Sequence, residues 1–358
     1  MKHSNDPIPA ATERSVATQT RYAGAEAAVH VYRGEGLDAI HYASVAVVDG
    51  RGQLIRHLGD PDLVVMARSA IKPFQLMALL TSGAADHFGF SPKQLAVMCG
   101  SHGGTDAHRE VVLSNLRQSG HTPDDLQCGT HWPLWMQVDV VHPANGEDKD
   151  PLRHNCSGKH SGFLSLAKFL GDDKQSYLDP DSAAQRLVKQ KVAECCSYPV
   201  ERISTSIDGC SAPNFPLPLK HLALGFMRLA GGSVDGSLGE ALSRVRAAMT
   251  AHPEMVSGEK RLDLALMRSF PGNLVSKGGA ESIEGIGLAD PPLGIAVKIH
   301  DGNNRALGPV CVAVLKQLGL VPDISKFPYL QALEMPEVRN YRRTVTGRIV
   351  ADFQLHEA

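Results

Sequence analysis

The chain has 358 residues, of which 43% are hydrophobic, 21% charged and 5% aromatic, as is typical of a globular protein. Its 36 lysines and arginines and 38 aspartates and glutamates give a net charge of −2, so no strong field favours nucleic acid or an anionic membrane. No uninterrupted apolar stretch approaches the roughly 20 residues of a membrane-spanning helix. The length suits one large domain or two lobes.

The first 22 residues, MKHSNDPIPAATERSVATQTRY, are polar and contain no apolar core of the kind found in secretory signals. We expect residues 1–24 to form a flexible tail and residues 25–358 to form a single domain. The seven cysteines are an odd number in a large chain without a signal. This favours reduced thiols, a cytoplasmic location and the availability of some thiols for metal.

Near the N-terminus, residues 27–58 alternate in polarity and are rich in β-forming side chains. The turn signals GEG and DGRG divide them into two or three antiparallel strands. Residues 63–66 suit a short buried strand. Apolar residues from about Ala70 recur at helical spacing, with Pro73 in the first turn and Gly83 at the end of the predicted helix.

The middle and end of the chain are mainly helical in pattern. SPKQLAVMCGSHGG predicts a short helix and a glycine-rich turn, and Thr105 is expected to cap the next helix. Residues 128–162 lack periodicity and predict a long functional loop. Further helices are expected at 183–195, 219–230, 236–250, 259–269 and in RALGPVCVAVLKQLGL, and late strands in PGNLVSKGGAESIEGIG and LGIAVKIHDGN. Strands at both ends of the chain predict an α+β fold with one antiparallel sheet that the late strands close.

The pattern Ser-x-x-Lys occurs three times, so spacing alone identifies no catalytic pair: Ser69/Lys72, Ser165/Lys168 and Ser257/Lys260. Ser69 is distinguished by its place at the start of an apolar helix, where free N–H groups create a positive potential. One turn later Lys72 would point back over Ser69, and burial would leave a neutral amine able to accept the serine proton. The alternative is a capping serine followed by a lysine that extends along the surface.

Two further segments contain candidate catalytic residues. Ser101 lies in CGSHGG, whose glycines permit the backbone to approach a ligand closely, although an ordinary polar loop would have the same composition. Lys277 lies at the end of a probable strand, in VSKGGAES. Backbone N–H groups there could stabilise an oxyanion, whereas the alternative is a lysine that merely precedes a turn.

Two turns combine cysteine with other metal-binding side chains. RHNCSGKHSGF contains Cys156, Lys159 and His160, and SIDGCSAPNFPLP contains Asp208 and Cys210. Two cysteines and one further donor would suit an open zinc site. By chemistry alone His160 is the usual third donor, because Lys159 must lose its proton to coordinate a metal. The alternative is a pair of ordinary buried cysteines.

Taken together, these segments resemble the rhizobial-type (class 3) L-asparaginase family, whose members have a serine β-lactamase-like fold. The resemblance rests on RSAIKPFQ, CGSHGG, NCSGKHSGF, IDGCSAPNFPLPL, KGGAE and HDGN in this order, over roughly residues 30–320. It implies an α+β domain with one α/β lobe formed by both ends of the chain and a helical lobe at roughly 85–260. It also implies a homodimer.

The resemblance also implies the roles of individual residues. It implies two Ser–Lys tandems in one pocket, Ser69 with Lys72 and Ser101 with Lys277. A zinc ion would be held by Cys156, Lys159 and Cys210, with four substrate-binding residues nearby: Arg68, Asn155, His160 and Asp208. One position departs from some relatives, since Asp263 stands where they have cysteine.

The expected reaction is hydrolysis of the side-chain amide of L-asparagine to L-aspartate and ammonia. Ser69 would attack with Lys72 as base, while Ser101 and Lys277 relay protons and zinc orients the substrate. The sequence leaves open which serine is acylated. It also leaves open a glutaminase or a β-lactam hydrolase on the same fold, and a non-catalytic zinc-dependent binding protein.

Overall fold

A computed structural model of the chain describes residues 24–142, 149–232 and 234–358. The expected flexible tail, residues 1–24, lies outside these residues apart from Gly24. The described strands are β1 (Glu26–Arg33), β2 (Gly36–Asp49), β3 (Leu54–Leu58), β4 (Val64–Met66), β5 (Ser206–Ile207), β6 (Pro213–Asn214), β7 (Pro216–Pro218), β8 (Leu274–Gly279), β9 (Ile283–Leu288), β10 (Leu293–Ile299), β11 (Glu337–Arg339), β12 (Val345–Ala351) and β13 (His356–Glu357).

The described α-helices are α1 (Lys72–Thr81), α2 (Ala84–Phe88), α3 (Pro92–Met98), α4 (Asp106–Gln118), α5 (Leu134–Asp139), α6 (Ser157–Leu170), α7 (Ala183–Cys196), α8 (Leu219–Leu229), α9 (Gly236–Ala251), α10 (Pro253–Val256), α11 (Leu262–Ser269), α12 (Leu307–Gln317) and α13 (Pro328–Glu334). Short 3₁₀ helices occupy Arg68–Ile71, Pro123–Asp125, Pro151–Arg153, Lys174–Ser176, Val200–Arg202, Asn304–Ala306 and Ile324–Lys326. Among the described residues, no helix combines the length and the apolar character needed to cross a bilayer.

A nine-stranded antiparallel sheet forms the centre of the fold. Its main path runs β11-β12-β1-β2-β10-β9-β8, and β3 pairs with both β2 and β13. The first strand, β1, therefore pairs with β12 from near the end of the chain, and most of the described helices come from the segment between β3 and β8. The α+β class and the closure of the sheet by late strands are confirmed. β8, which contains Lys277, lies at one edge of the sheet.

Helix α8 packs closely against one face of the sheet because three facing positions are glycine. A Cβ on Gly285 would lie 1.9 Å from the Phe226 ring, and one on Gly294 would lie 2.0 Å from the Ala223 carbonyl oxygen. Helix α12 packs against strands β10, β12 and β1. Residues 43–48 of β2 are consequently all buried, so their sequence reads as a continuous apolar run.

Helix α1 occupies the core of the helical lobe, where it packs against α6, α7 and α9. All its residues are buried except Thr81, in agreement with the predicted apolar helix. A 3₁₀ turn, Arg68–Ile71, precedes it, so the α-helix starts two residues later than the pattern suggested. The predicted starts of α7, α8 and α9 are confirmed, whereas α11 begins at Leu262 instead of residue 259.

Two local predictions are wrong. The segment expected to be a long loop contains α5 and the start of α6. The start of α6 was not predicted because small residues take the place of the usual apolar ones. A Cβ on Gly158 would lie 2.2 Å from the Val97 carbonyl oxygen. The hydroxyls of Ser161 and Ser165 donate to carbonyl oxygens of the helix backbone. Strand β4 is not fully buried, because it pairs only with β7, and Val64 is 48% exposed.

Candidate active site

A cavity of about 540 Å³ lies at the edge of the sheet, between β8 and the start of the helical lobe. Ser69, Ser101 and Asn155, three of the residues predicted for the site, line it. Lys72 and Lys277 are buried and each contacts a lining residue. The fold thus brings both predicted serines and both predicted lysines to one place.

The contacts of Lys72 differ from those predicted. Its Nζ atom lies 3.0 Å from Ser101 Oγ and donates to the Gly100 carbonyl oxygen at 2.6 Å. No hydrogen bond joins it to Ser69, whose hydroxyl has no partner among the described residues. The predicted Ser69–Lys72 hydrogen bond is therefore wrong, because a buried amine needs acceptors and the end of α3 supplies them.

The environment of Lys72 favours its neutral form. The side chain is 1% exposed, and burial lowers its pKa to about 8. Cys156 opposes this shift, whereas the positive charges of Lys159 and Lys277 reinforce it. A lysine that is substantially deprotonated near pH 8 can accept a proton from a serine hydroxyl.

The turn that presents Ser101 is fixed by its backbone. The N–H of Ser101 donates to the Val256 carbonyl oxygen at 2.9 Å, and Arg261 Nη1 donates to the Ser101 carbonyl oxygen at 2.9 Å. Gly100 has no space for a side chain, since a Cβ there would lie 2.6 Å from the Met255 carbonyl oxygen. Gly100 therefore allows the turn to pack closely against the backbone of α10.

Lys277 also has a partner that the sequence did not predict. Its Nζ atom lies 3.1 Å from Asp263 Oδ2, and the two side chains are 0% and 4% exposed. No hydrogen bond joins Lys277 to Ser101, so the predicted contact within the second tandem is wrong. Burial alone would raise the pKa of Asp263, but the charges of Lys277 and Arg261 outweigh it and lower the pKa to about 2.

The edge of β8 presents backbone donors beside Ser69. The Gly278 N–H points away from β9 and donates to Asp263 Oδ2 at 3.2 Å. Because N–H groups alternate sides along a strand, the N–H of Ala280 is expected on the same free edge, next to the cavity. A Cβ on Gly279 would lie only 3.1 Å from the backbone nitrogen of Ser69. In this position the backbone N–H groups of Ser69 and Ala280 can bind an oxyanion.

The cysteines predicted to bind metal lie together on the other side of Lys72. Lys159 Nζ lies 3.0 Å from Cys210 Sγ, and all three residues of the predicted zinc set are buried: Cys156, Lys159 and Cys210. A hydrogen bond from Cys156 lowers the pKa of Cys210 despite the opposing effect of burial, and Lys159 lowers it further. One sulfur is thus prepared to carry negative charge.

These side chains fit a zinc ion. His160 is fully buried, its Nδ1 lies 2.7 Å from the Tyr177 hydroxyl, and its Nε2 has no hydrogen-bond partner among the described residues. Two thiols, an amine and an imidazole nitrogen are donors that suit zinc. In the described part of the chain, no three His, Cys, Asp or Glu side chains form a metal site by themselves, so the set depends on Lys159.

An ion pair connects the cysteine turn to the serine turn. Arg68, directly before Ser69, places Nε and Nη2 at 2.9 and 2.8 Å from Asp208 Oδ1. The Arg68 backbone has a φ of +49°, a left-handed conformation that is unfavourable for a residue with a side chain. Asn214 helps to hold it by accepting the Arg68 N–H at 3.1 Å. Neither of these two predicted substrate-binding residues lines the cavity, although Arg68 directly precedes Ser69, which does.

Two further contributors were not predicted. His131 accepts the Asn155 N–H at 3.1 Å and lies 3.0 Å from its side-chain amide, which fixes Asn155 at the cavity. Tyr177 orients His160 and accepts the Gln127 N–H at 2.8 Å. Both approach from loops far from the motifs in sequence, and no spacing rule connects them to the site.

A buried lysine in contact with a serine that lines a cavity is typical of hydrolases that transfer acyl groups through serine. The family model of L-asparaginase II matches residues 29–351, and the chain belongs to this family. The predicted relationship to asparaginases is therefore confirmed. None of the curated protein sequences gives a significant match.

Several solved structures are similar to this one. Mglu in its native form in 4.3 M NaCl has 17% identity and a TM-score of 0.38, over 78% of this chain and 61% of that one. A penicillin-binding protein homologue from Pyrococcus abyssi has 13% identity and a TM-score of 0.33, over 84% and 80%. A putative β-lactamase from Bacteroides dorei has 10% identity and a TM-score of 0.36, over 82% and 94%. The chain thus spans 61% of the length of Mglu, and at these TM-scores the similarities carry no argument about activity.

Proposed function

We propose that the protein hydrolyses the side-chain amide of L-asparagine to L-aspartate and ammonia through an acyl-enzyme. The main support is the contact between Lys72 Nζ and Ser101 Oγ at 3.0 Å, in a cavity that Ser69 also lines. Membership of the L-asparaginase II family supports the substrate.

Ser69 is the nucleophile in this scheme. It is only partly buried and its hydroxyl is free among the described residues, whereas Ser101 is 3% exposed and already bonded to Lys72. Ser69 also carries one of the backbone N–H groups of the oxyanion site, so one residue supplies both the attacking oxygen and a donor for the developing charge. Its position at the start of the helix favours negative charge on that oxygen.

Ser101 acts as a proton relay between Ser69 and Lys72. When Ser69 Oγ attacks the amide carbon, its proton passes to Ser101, and the proton of Ser101 passes to the neutral amine of Lys72. The same path returns a proton to the leaving nitrogen, the C–N bond breaks and ammonia departs. Water then attacks the β-aspartyl ester and gives up a proton along the same relay. Ser69 regains its proton as L-aspartate leaves.

The remaining residues bind the substrate or stabilise the charge that develops on it. Lys277 is a cation behind the edge of β8 and stabilises negative charge that develops at the oxyanion site. Asn155, held by His131, offers its amide to the substrate. Arg68 and Asp208 form the wall between the serine and the cysteines.

Cys156, Lys159 and Cys210 would hold the zinc ion, with His160 and Asp208 beside it. When bound, zinc supplies a positive charge that orients the substrate. Lys159 and both thiols must give up their protons to serve as ligands, so affinity for the metal rises with pH. The low pKa of Cys210 prepares this site.

Location and assembly are also proposed. All seven cysteines are buried free thiols, which supports a reducing compartment such as the cytoplasm. The homodimer rests on the family resemblance, and light scattering of the purified protein tests it.

The decisive experiment is ammonia release from L-asparagine by the wild type and by Ser69→Ala and Ser101→Ala, with zinc content determined on the same samples. We expect full turnover by the wild type and a loss of at least about 10²-fold in kcat in each variant. A wild type that binds asparagine without releasing ammonia would instead indicate the zinc-dependent binding protein.

A further inference from the structure

The ion pair between Lys277 and Asp263 lies where the sequence pattern led us to expect a serine–lysine contact. Asp263 is in the first turn of α11, where a negative charge is favoured by the helix dipole. Its Oδ2 accepts both the Lys277 ammonium at 3.1 Å and the Gly278 N–H at 3.2 Å. One carboxylate oxygen therefore binds both the Lys277 side chain and the Gly278 backbone at the edge of β8.

The charges around this pair come from several elements that pack on it. The titratable and charged groups that face Lys277 or Asp263 are Arg261 before α11, Glu284 on β9, Lys72 on α1, Cys99 after α3 and Cys311 in α12. Glu284 is 1% exposed, and burial together with the charge of Asp263 raises its pKa. Asp263 is the carboxylate that contacts the Lys277 ammonium directly, at 3.1 Å.

The bonding of Lys277 leaves one of its donors available. An ammonium has three N–H groups. One points to Asp263 and one to the Gly278 carbonyl oxygen, and the third has no partner among the described residues. Since a buried charge is costly unless it is paired, the placement of this donor depends on Asp263.

We propose that Asp263 is a positioning residue that supplies the counter-charge of Lys277 and fixes it behind the oxyanion site. The role builds on the proposed asparaginase reaction, because Asp263 acts through Lys277 and not on the substrate. It also divides the work between the two buried lysines: Lys277 is paired with a carboxylate beside the oxyanion site, and Lys72 is the base.

A double-mutant cycle tests this role. The variants are Asp263→Asn, Lys277→Met and the two combined, with kcat for L-asparagine measured between pH 6 and 10 and the melting temperature measured without substrate. Asp86→Asn is the matched control, because Asp86 pairs with Arg244 at 2.8 Å but is exposed to solvent, and neither residue lines the cavity. We expect the control to keep kcat within about twofold of the wild type.

If Asp263 acts through Lys277, Asp263→Asn lowers kcat at least about tenfold in the wild-type background and has almost no further effect once Lys277 is methionine. Its activity also declines with rising pH earlier than that of the wild type, because the unpaired amine loses its proton. The double variant melts at a higher temperature than Asp263→Asn, since no buried charge is left alone.

An equal loss of kcat in both backgrounds, or an unchanged alkaline limb in Asp263→Asn, would overturn the proposal. The melting temperatures decide separately whether Asp263 holds the buried cation. A wild type that releases no ammonia would refute the asparaginase reaction and leave this thermal result intact.

Discussion

The Nζ atom of Lys72 lies 3.0 Å from the hydroxyl oxygen of Ser101, although Ser69 is only three residues away in sequence. In the proposed reaction the base therefore acts on Ser69 through a second serine that lines the same cavity. This relationship ties the chemistry to the packing of α1 against the end of α3, because Gly100 and Ser101 provide the acceptors that hold the amine.

The activity should rise with pH. The pKa of Lys72 is lowered to about 8 by burial, and the amine accepts protons only in its neutral form, above that pKa. We expect kcat to increase roughly tenfold from pH 7 to pH 9, with a midpoint near 8. Initial rates of ammonia release in buffers of constant ionic strength measure this. A flat profile between pH 6 and 10 would exclude Lys72 as the base.

The two serines should differ in the step that their removal affects. Ser69→Ala removes the nucleophile, so we expect a loss of at least about 10³-fold in kcat and no covalent adduct. Ser101→Ala removes a relay, so we expect a loss of about 10²–10³-fold with slow acylation of Ser69 retained. Intact-protein mass spectrometry after rapid acid quenching detects the ester. An adduct in Ser69→Ala and none in Ser101→Ala would reverse the two roles.

Loss of the metal should weaken binding more than catalysis. Because zinc is proposed to orient the substrate, Cys210→Ser should lower zinc content and raise KM about tenfold while kcat changes much less. Cys311→Ala, another buried cysteine but in α12, serves as the control and should keep its zinc. Elemental analysis and steady-state kinetics on the same preparations give both readings. An unchanged KM with complete loss of kcat would instead place zinc in the chemical step.

The oxyanion site should be sensitive to a single methyl group. A Cβ on Gly279 would lie 2.7 Å from Ile283 Cγ2 and 3.1 Å from the Ser69 nitrogen, so Gly279→Ala must displace one wall of the site. We expect kcat to fall about 10²-fold, as when one oxyanion donor is lost. Gly36→Ala is the matched control, since its Cβ would meet only the Arg33 carbonyl oxygen at 3.5 Å. Similar kcat values for the two variants would argue against an oxyanion site at Gly279.

The sequence predicted the parts of the fold that local patterns determine. Helices α7, α8 and α9 start where periodicity placed them, and Thr105 is the N-cap residue of α4. Helix α6 was missed because glycines, serines and polar side chains make up most of the buried residues in its first two turns, and hydropathy does not register them. Patterns of apolar residues report burial only where bulky side chains produce it.

The contacts between residues of the site were harder to predict than which residues form it. The motifs identified the serines and lysines, and the cavity brings them together. The partner of each lysine depends on long-range packing, however: Ser101 is 29 residues from Lys72, and Asp263, in α11, is 14 residues from Lys277, in β8. Spacing along one helix therefore suggested a bond to Ser69 that the tertiary structure does not make.

The pairing of β1 with β12 protects the protein from association through its strands. The carbonyl and N–H groups along one side of β1 are covered only by the final large strand, with Val31 opposite Ile349. Proteolytic removal of residues from 345 onward would leave that side of β1 as an exposed, unpaired strand edge. Further chains can pair with such an edge and form fibres. A proteolytic cut near the C-terminus would therefore lower the solubility of the protein before it lowered its catalytic activity.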